Sequence, residues 1–381
     1  MFPGFPVLSC ASLEGCITAS EHRASGLRLP LAWMVKVAAT LVWVWLLLCG
    51  LGCASVPTTI AGALGYGSVT DLNPAITPDF TNWSNWYSSQ SGPQASYARV
   101  GYSVAGGSVI TPTSSGPYAV SDAFAKVFFD STTSTDPTNK IRGLILYSSP
   151  APVCPPDCVL FMPMLDNTVK VTTLTSIGQP HIDFIFGTST LSNFPPQSPF
   201  LNPPVNSDIG FAANPFVLGW NYQSFGVWDS VDTAGNRSIF VATFGAPTPG
   251  SAVPTTGAAT FAGKLGGLYI SPAGQGSVAF ADLTVNANFS TRSLGFASTG
   301  TITTRDLATT TAASNLNLSG TLTYSPSSSQ FAGTLVNAGG TMSGQSTGKF
   351  YGPSAQELGG IFTLRSPTTS ETFAGGYGAK R

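Results

Sequence analysis

GKFYGPSAQELGGIFTLRSPTTSETFAGGYGAKR, residues 348–381, decides how this chain is read. Two glycine-rich, aromatic-bearing runs flank one short polar insert, and both have strand composition. Phe350 and Tyr351 end a strand. Gly352-Pro353 is expected to open a single helical turn, with proline tolerated at its first position. Gly359 is then expected to stop that turn and let the next strand begin. These are turn and packing residues, so the motif defines a fold and is not itself a site.

Working outward, residues 258–381 form one regular β unit. Candidate strands lie at 260–270, 277–285, 296–303, 316–324, 331–336, 341–351, 360–365 and 372–378. Eight close-spaced strands with short turns suit an up-and-down barrel. Leu316, Leu318, Gly320, Leu322 and Tyr324 share one face, and so do Phe331, Gly333 and Leu335. Glycines at inward or bending positions suit a tightly curved sheet. An outer-membrane barrel fits less well, because Asn, Ser and Thr interrupt any lipid-facing band and the terminal Ala-Lys-Arg lacks an aromatic.

The run Gly348, Lys349, Phe350, Tyr351, Gly352, Pro353, Ala355, Glu357, Gly359 and Gly360 resembles the closing strands of the soluble barrel of transferrin-binding protein B and its lipoprotein relatives. TFAGGYGAKR fits the same pattern, as does the entry from Thr256-Gly257 to Tyr269. The resemblance covers about residues 255–381. It weakens over 214–244, where GWNYQSFGVW resembles the junction leading out of the family's handle domain, and before that it is architectural. It implies an all-β chain, an N-terminal β-rich handle followed by an eight-stranded antiparallel barrel, with length for one lobe. Single-lobe relatives include haem-binding and factor H-binding surface lipoproteins, so fold alone does not name the ligand.

The first 53 residues read as an export signal. In MVKVAATLVWVWLLLCGLGC, residues 34–53, Lys36 supplies positive charge and residues 37–48 a short apolar core. Gly52 precedes Cys53, which is the expected lipidated residue, although Gly50 stands where leucine is usual. Met34 is the expected start. Plain secretion, with cleavage soon after Ala54 or Ser55, is the competing reading. Residues 54–75 are small and polar, a tether.

Residues 76–245 are expected to form the handle. Its candidate strands are 97–104, 126–129, 141–147, 159–164, 169–173, 181–186, 216–222 and 238–244. Residues 246–257 contain three prolines and no charge, and read as a linker.

Charged residues make up 9% of the 381, and the net charge is −1, with no basic stripe for nucleic acid or anionic lipid. Disorder is argued against by 24 Phe, 11 Tyr and 7 Trp. Cys154 and Cys158 in VCPPDCV read as a local disulfide across a hairpin tip. No other Cys or His lies near enough for a metal site.

His181, in QPHIDFIFG, has two readings: an axial haem ligand, or a strand-edge residue after Pro180. Trp83, Trp86 and Tyr87 form an aromatic cluster with polar neighbours, a candidate interface. Trp220, Tyr222, Phe225 and Trp228 read as core. Asp229 and Asp232 read as a turn between strands. No nucleophile elbow, phosphate loop, zinc motif or Ca²⁺ loop is present, so no enzyme is expected. The expected function is an exported, lipid-anchored binding protein of the bacterial outer membrane. Its ligand would be haem, an iron-carrier protein or another protein, and no cofactor is expected. An outer-membrane translocator is a further expected partner. The alternative is a structural or adhesive envelope lipoprotein.

Overall fold

The computed structural model describes residues 67–68, 95–105, 109–113, 118–129, 141–147, 159–161, 170–187, 198–202, 208–231 and 237–381. Strands dominate, as the sequence leads one to expect.

The first sheet is built from β1 (Gly67–Ser68), β2 (Ala95–Ala105), β3 (Val109–Pro112), β4 (Tyr118–Phe129), β5 (Ile141–Tyr147), β6 (Val159–Phe161), β7 (Lys170–Leu174), β8 (Gln179–Gly187), β9 (Asp208–Ala213), β10 (Gln223–Val231) and β11 (Arg237–Gly245). Its order is β6-β5-β4-β2-β11-β10-β9-β8-β7, with β3 on β2 and β1 running parallel to β4. This is the handle. One expected strand, 216–222, is instead a four-residue helix, α1 (Pro215–Leu218), followed by an irregular stretch. Local chemistry dictates the change. Asn214 caps the backbone N–H groups of Phe216 and Val217, Pro215 sits at N1, and Gly219 closes the turn at φ 63°. The pairing strands lie on either side, in β9 and β10.

The second sheet is built from β12 (Ala258–Ile270), β13 (Gly276–Asn288), β14 (Ser293–Thr304), β15 (Thr311–Ala312), β16 (Leu318–Tyr324), β17 (Gln330–Asn337), β18 (Ser343–Tyr351), β19 (Glu357–Arg365) and β20 (Thr372–Lys380). β12 pairs antiparallel with β13 on one side and β20 on the other, and β13 pairs with β14. Eight strands therefore close into an antiparallel ring, with β15 a short appendage on β14. The expected helical turn after Gly352 is absent. Residues 352–355 form a turn with left-handed backbone at Gly352 and Ala355, and Gly359 lies inside β19.

The barrel interior is filled. Phe261, Phe289, Phe331 and Tyr324 all pack around Phe350, with ring centroids 5.3–6.3 Å apart. Each such buried ring contributes roughly 1.5–3 kcal/mol of transfer free energy. Outward on β16 and β17 stand exposed Ser319, Thr321, Thr323 and Thr334. Apolar residues face in and polar residues out, the inverse of a lipid-facing barrel.

The two sheets share a second core. Phe184, Phe211, Phe225, Val227 and Val241 of the handle pack with Leu268, Phe280, Ile361 and Ala374 on the outer face of the barrel. Phe211 and Phe280 meet edge to face at 5.1 Å. Consequently β19 and β20 are buried on both faces almost throughout, whereas β16 alternates. Residues 246–257, the expected linker, are pinned to the barrel: Thr248 N–H donates to Phe350 O at 2.8 Å and its hydroxyl to Gly352 O at 2.6 Å.

Candidate binding surfaces and the seam that holds them

The closing motif builds the seam between handle and barrel. Phe350 points into the barrel, while its neighbour Tyr351 points the other way, with its hydroxyl 3.4 Å from Thr243 Oγ1 of β11. Glu357 reaches out of β19 and accepts from the backbone N–H groups of Asn221 (2.7 Å) and Tyr222 (3.0 Å). Those donors belong to the irregular stretch that follows α1, so one carboxylate fixes the entry to β10. Burial pushes the Glu357 carboxyl up to about 7, against the opposing pull of these N–H groups and of Lys380. Lys380 itself donates to Gly219 O at 3.1 Å.

Glycines admit the handle to the barrel wall. A Cβ at Gly376 would stand 2.8 Å from the Phe225 ring, and one at Gly266 would stand 2.7 Å from Phe211. Gln223 lies over Gly359 and Gly378, where added Cβ atoms would meet its amide at 2.7 and 2.3 Å. Both polar atoms of that amide are buried without a hydrogen-bond partner.

A polar cluster lies within the handle. The Tyr102 hydroxyl donates to Asp229 Oδ1, and burial raises the Asp229 carboxyl to about 6. Asp229 is therefore not the turn residue expected of it. It sits 2% exposed inside β10. Its proposed companion Asp232 lies outside the described residues. Trp220, Phe225 and Trp228 are buried, as expected of core residues.

His181 lies in β8, 5% exposed. Burial, with Lys264 nearby and Asp282 opposing, holds its imidazole down at about 4. It is thus neutral across the physiological range. Cys53, Cys154, Cys158, Trp83, Trp86 and Tyr87 lie outside the described residues. Among the described residues no cluster of His, Cys, Asp or Glu is suited to a metal ion, and no helix is long and apolar enough to cross a membrane. Sequence reading missed Glu357 as a clamp and Gln223 as the residue over the glycines. The one available signal was a lone acid within a glycine-rich strand pair.

Residues 253–381 match the family described as the C-lobe and N-lobe beta barrels of Tf-binding protein B. Among solved structures, the chain is similar to a mutant of the vaccine antigen transferrin-binding protein B from Haemophilus parasuis Hp5. Identity is 14%, coverage 71% of this chain and 47% of that one, and the TM-score 0.38. Isotype 1 transferrin-binding protein B from serogroup B Neisseria meningitidis gives 16% identity, coverage of 74% and 51%, and a TM-score of 0.32. A crystal structure described as a surface lipoprotein gives 11% identity, coverage of 76% and 98%, and a TM-score of 0.36. The chain spans about half the length of the transferrin-binding protein B chains it matches. No curated protein matches it in sequence. Residues 253–381 of this chain are thus a barrel of the transferrin-binding protein B type.

Proposed function

We propose that this chain is an exported binding protein, lipid-anchored through Cys53 to the outer membrane, that captures a protein ligand such as an iron carrier. The observation that carries the reading is the family's barrel with its interior packed solid. Phe350 and the rings packed around it occupy the interior, which assigns capture to the outer surfaces of handle and barrel. The role is binding, with no catalytic residues assigned.

A protein ligand is favoured over haem by the surroundings of His181. The residue is only 5% exposed, beside the Lys264–Asp282 pair, and offers little surface to an iron atom. Cys154–Cys158 pairing, the interface role of Trp83, Trp86 and Tyr87, and delivery to the surface by a translocator belong to the same proposal.

The test is a pair of titrations on residues 54–381, one with iron-loaded transferrin and one with haem. A saturable protein complex without a Soret shift is the expected result. A Soret shift abolished by His181→Ala would replace the protein with haem. Silence in both would favour a structural envelope role. Separately, Cys53→Ser should release the chain from the membrane fraction.

A further inference from the structure

A polar cleft of about 380 Å³ opens at one end of the barrel, between the β12–β13 turn and the β14–β15 loop. Asn202 of the handle forms a third wall, and its backbone N–H donates to Arg305 O at 2.6 Å, tying that loop in place. The cleft is distinct from the Glu357 seam.

Three features give the cleft a chemical preference. Arg305 lines it, and the guanidinium Nε is buried with no hydrogen-bond partner. Nε is itself out of a ligand's reach, so the preference for a carboxylate rests on the terminal nitrogens of the same guanidinium. Asp306 also lines the cleft, but its oxygens are engaged within the loop, accepting from Thr309 N–H at 2.8 Å and Ala308 N–H at 2.9 Å. Those backbone donors hold its carboxyl well below the usual range, so it stays charged and opposes a polyanion. The third feature is Tyr269, whose ring is set edge-on against Phe373 and whose hydroxyl donates to Glu371 Oε1 at 2.8 Å. It gives the cleft a fixed aromatic wall, and the remaining lining residues are mostly Ser and Thr.

We infer that this cleft binds a small hydroxylated monocarboxylate of the sugar-acid class. The carboxylate meets Arg305, the sugar face meets Tyr269, and ring hydroxyls meet the serine and threonine lining. A single available cation beside a fixed anion disfavours phosphate dianions. This inference does not depend on protein capture, and either can fail alone.

The experiment is an NMR titration of the purified chain with glucuronate, glucose and inorganic phosphate as probes. Glucuronate is expected to shift amides of residues 271–277 and 303–311 saturably. Glucose and phosphate should bind at least about tenfold more weakly, as expected of a lost charged hydrogen bond. Arg305→Gln should weaken glucuronate by about ten- to a hundredfold, and Arg305→Lys should restore only part, because charge without the fork is insufficient. Equal binding of glucose, equal binding of phosphate, or no shift in those two segments would each overturn the inference. The mapping on the unaltered protein decides the matter even if a variant misfolds.

Discussion

Strands β16–β17 and β19–β20 belong to one barrel but meet two different surroundings. On β16–β17 the inner face is apolar, and Thr321, Thr323 and Thr334 point to solvent. On β19–β20 the inner face holds Phe362, Phe373 and Tyr377, while the outer face lies under the handle. The first pair tolerates change on one side; the second has no free side. What separates them is the handle, so the sequence of β19–β20 answers to two cores at once. That is why it is crowded with glycine, where a side chain from either core needs room.

Large truncation should show this contrast most strongly. Phe225→Ala removes a handle ring from the barrel wall and should cost about 3–5 kcal/mol in chemical denaturation. Val336→Ala on the solvent half, where the residue is 43% exposed, should stay within about 0.5 kcal/mol. Similar losses at both positions would remove the distinction.

The same small substitution should then split the two halves. Gly376→Ala drives a Cβ against Phe225 and should cost about 1–3 kcal/mol. Gly295→Ala, whose nearest neighbour would be Asn286 O at 3.8 Å, should be close to neutral.

How legible these halves were follows from their surroundings. The period-two pattern of Leu318, Leu322 and Tyr324 announces β16 because one face is wet. In β20 no alternation survives double burial, and only the glycine-aromatic motif marks the strand. In the handle, 216–222 read as a strand on its apolar residues, although Asn214, Pro215 and Gly219 were the stronger, shorter-range signal for a capped turn. The Glu357 clamp was not legible at all. Its donors lie more than a hundred residues upstream, and no local pattern encodes a contact of that range.

Acidity should sharpen the comparison further. Glu357 keeps its proton up to about 7 when folded, against a usual value of 4.5. The folded state therefore binds that proton more tightly, and the stability it contributes is lost as pH rises through about 7. Asp229 has the same sign at about 6, and His181 the opposite sign, its contribution being lost as pH falls through about 4. Between about pH 6 and 7, above the Asp229 titration, Glu357 dominates, so Tm should fall with rising pH and level off above about 7. The slope should approach about 1.4 kcal/mol per pH unit. Glu357→Gln should flatten it.

The smallest effect concerns Gln223. Its amide is buried and unpartnered over Gly359 and Gly378, so Gln223→Met should raise stability by about 1 kcal/mol. A loss would mean that the amide finds its partners in contacts with the glycine backbone.

The ring closes through β12 and β20, with Ala262 paired to Lys380, more than a hundred residues later. The handle is completed on the same late strands, since Ile361 and Ala374 lie in its core. A chain threaded across a membrane from its N-terminus would therefore emerge with the barrel open and the handle's core uncovered. Neither could be completed until the last strand had crossed. Completion of the fold is thus deferred by connectivity alone, and the surfaces proposed to capture a ligand would assemble last and on the far side.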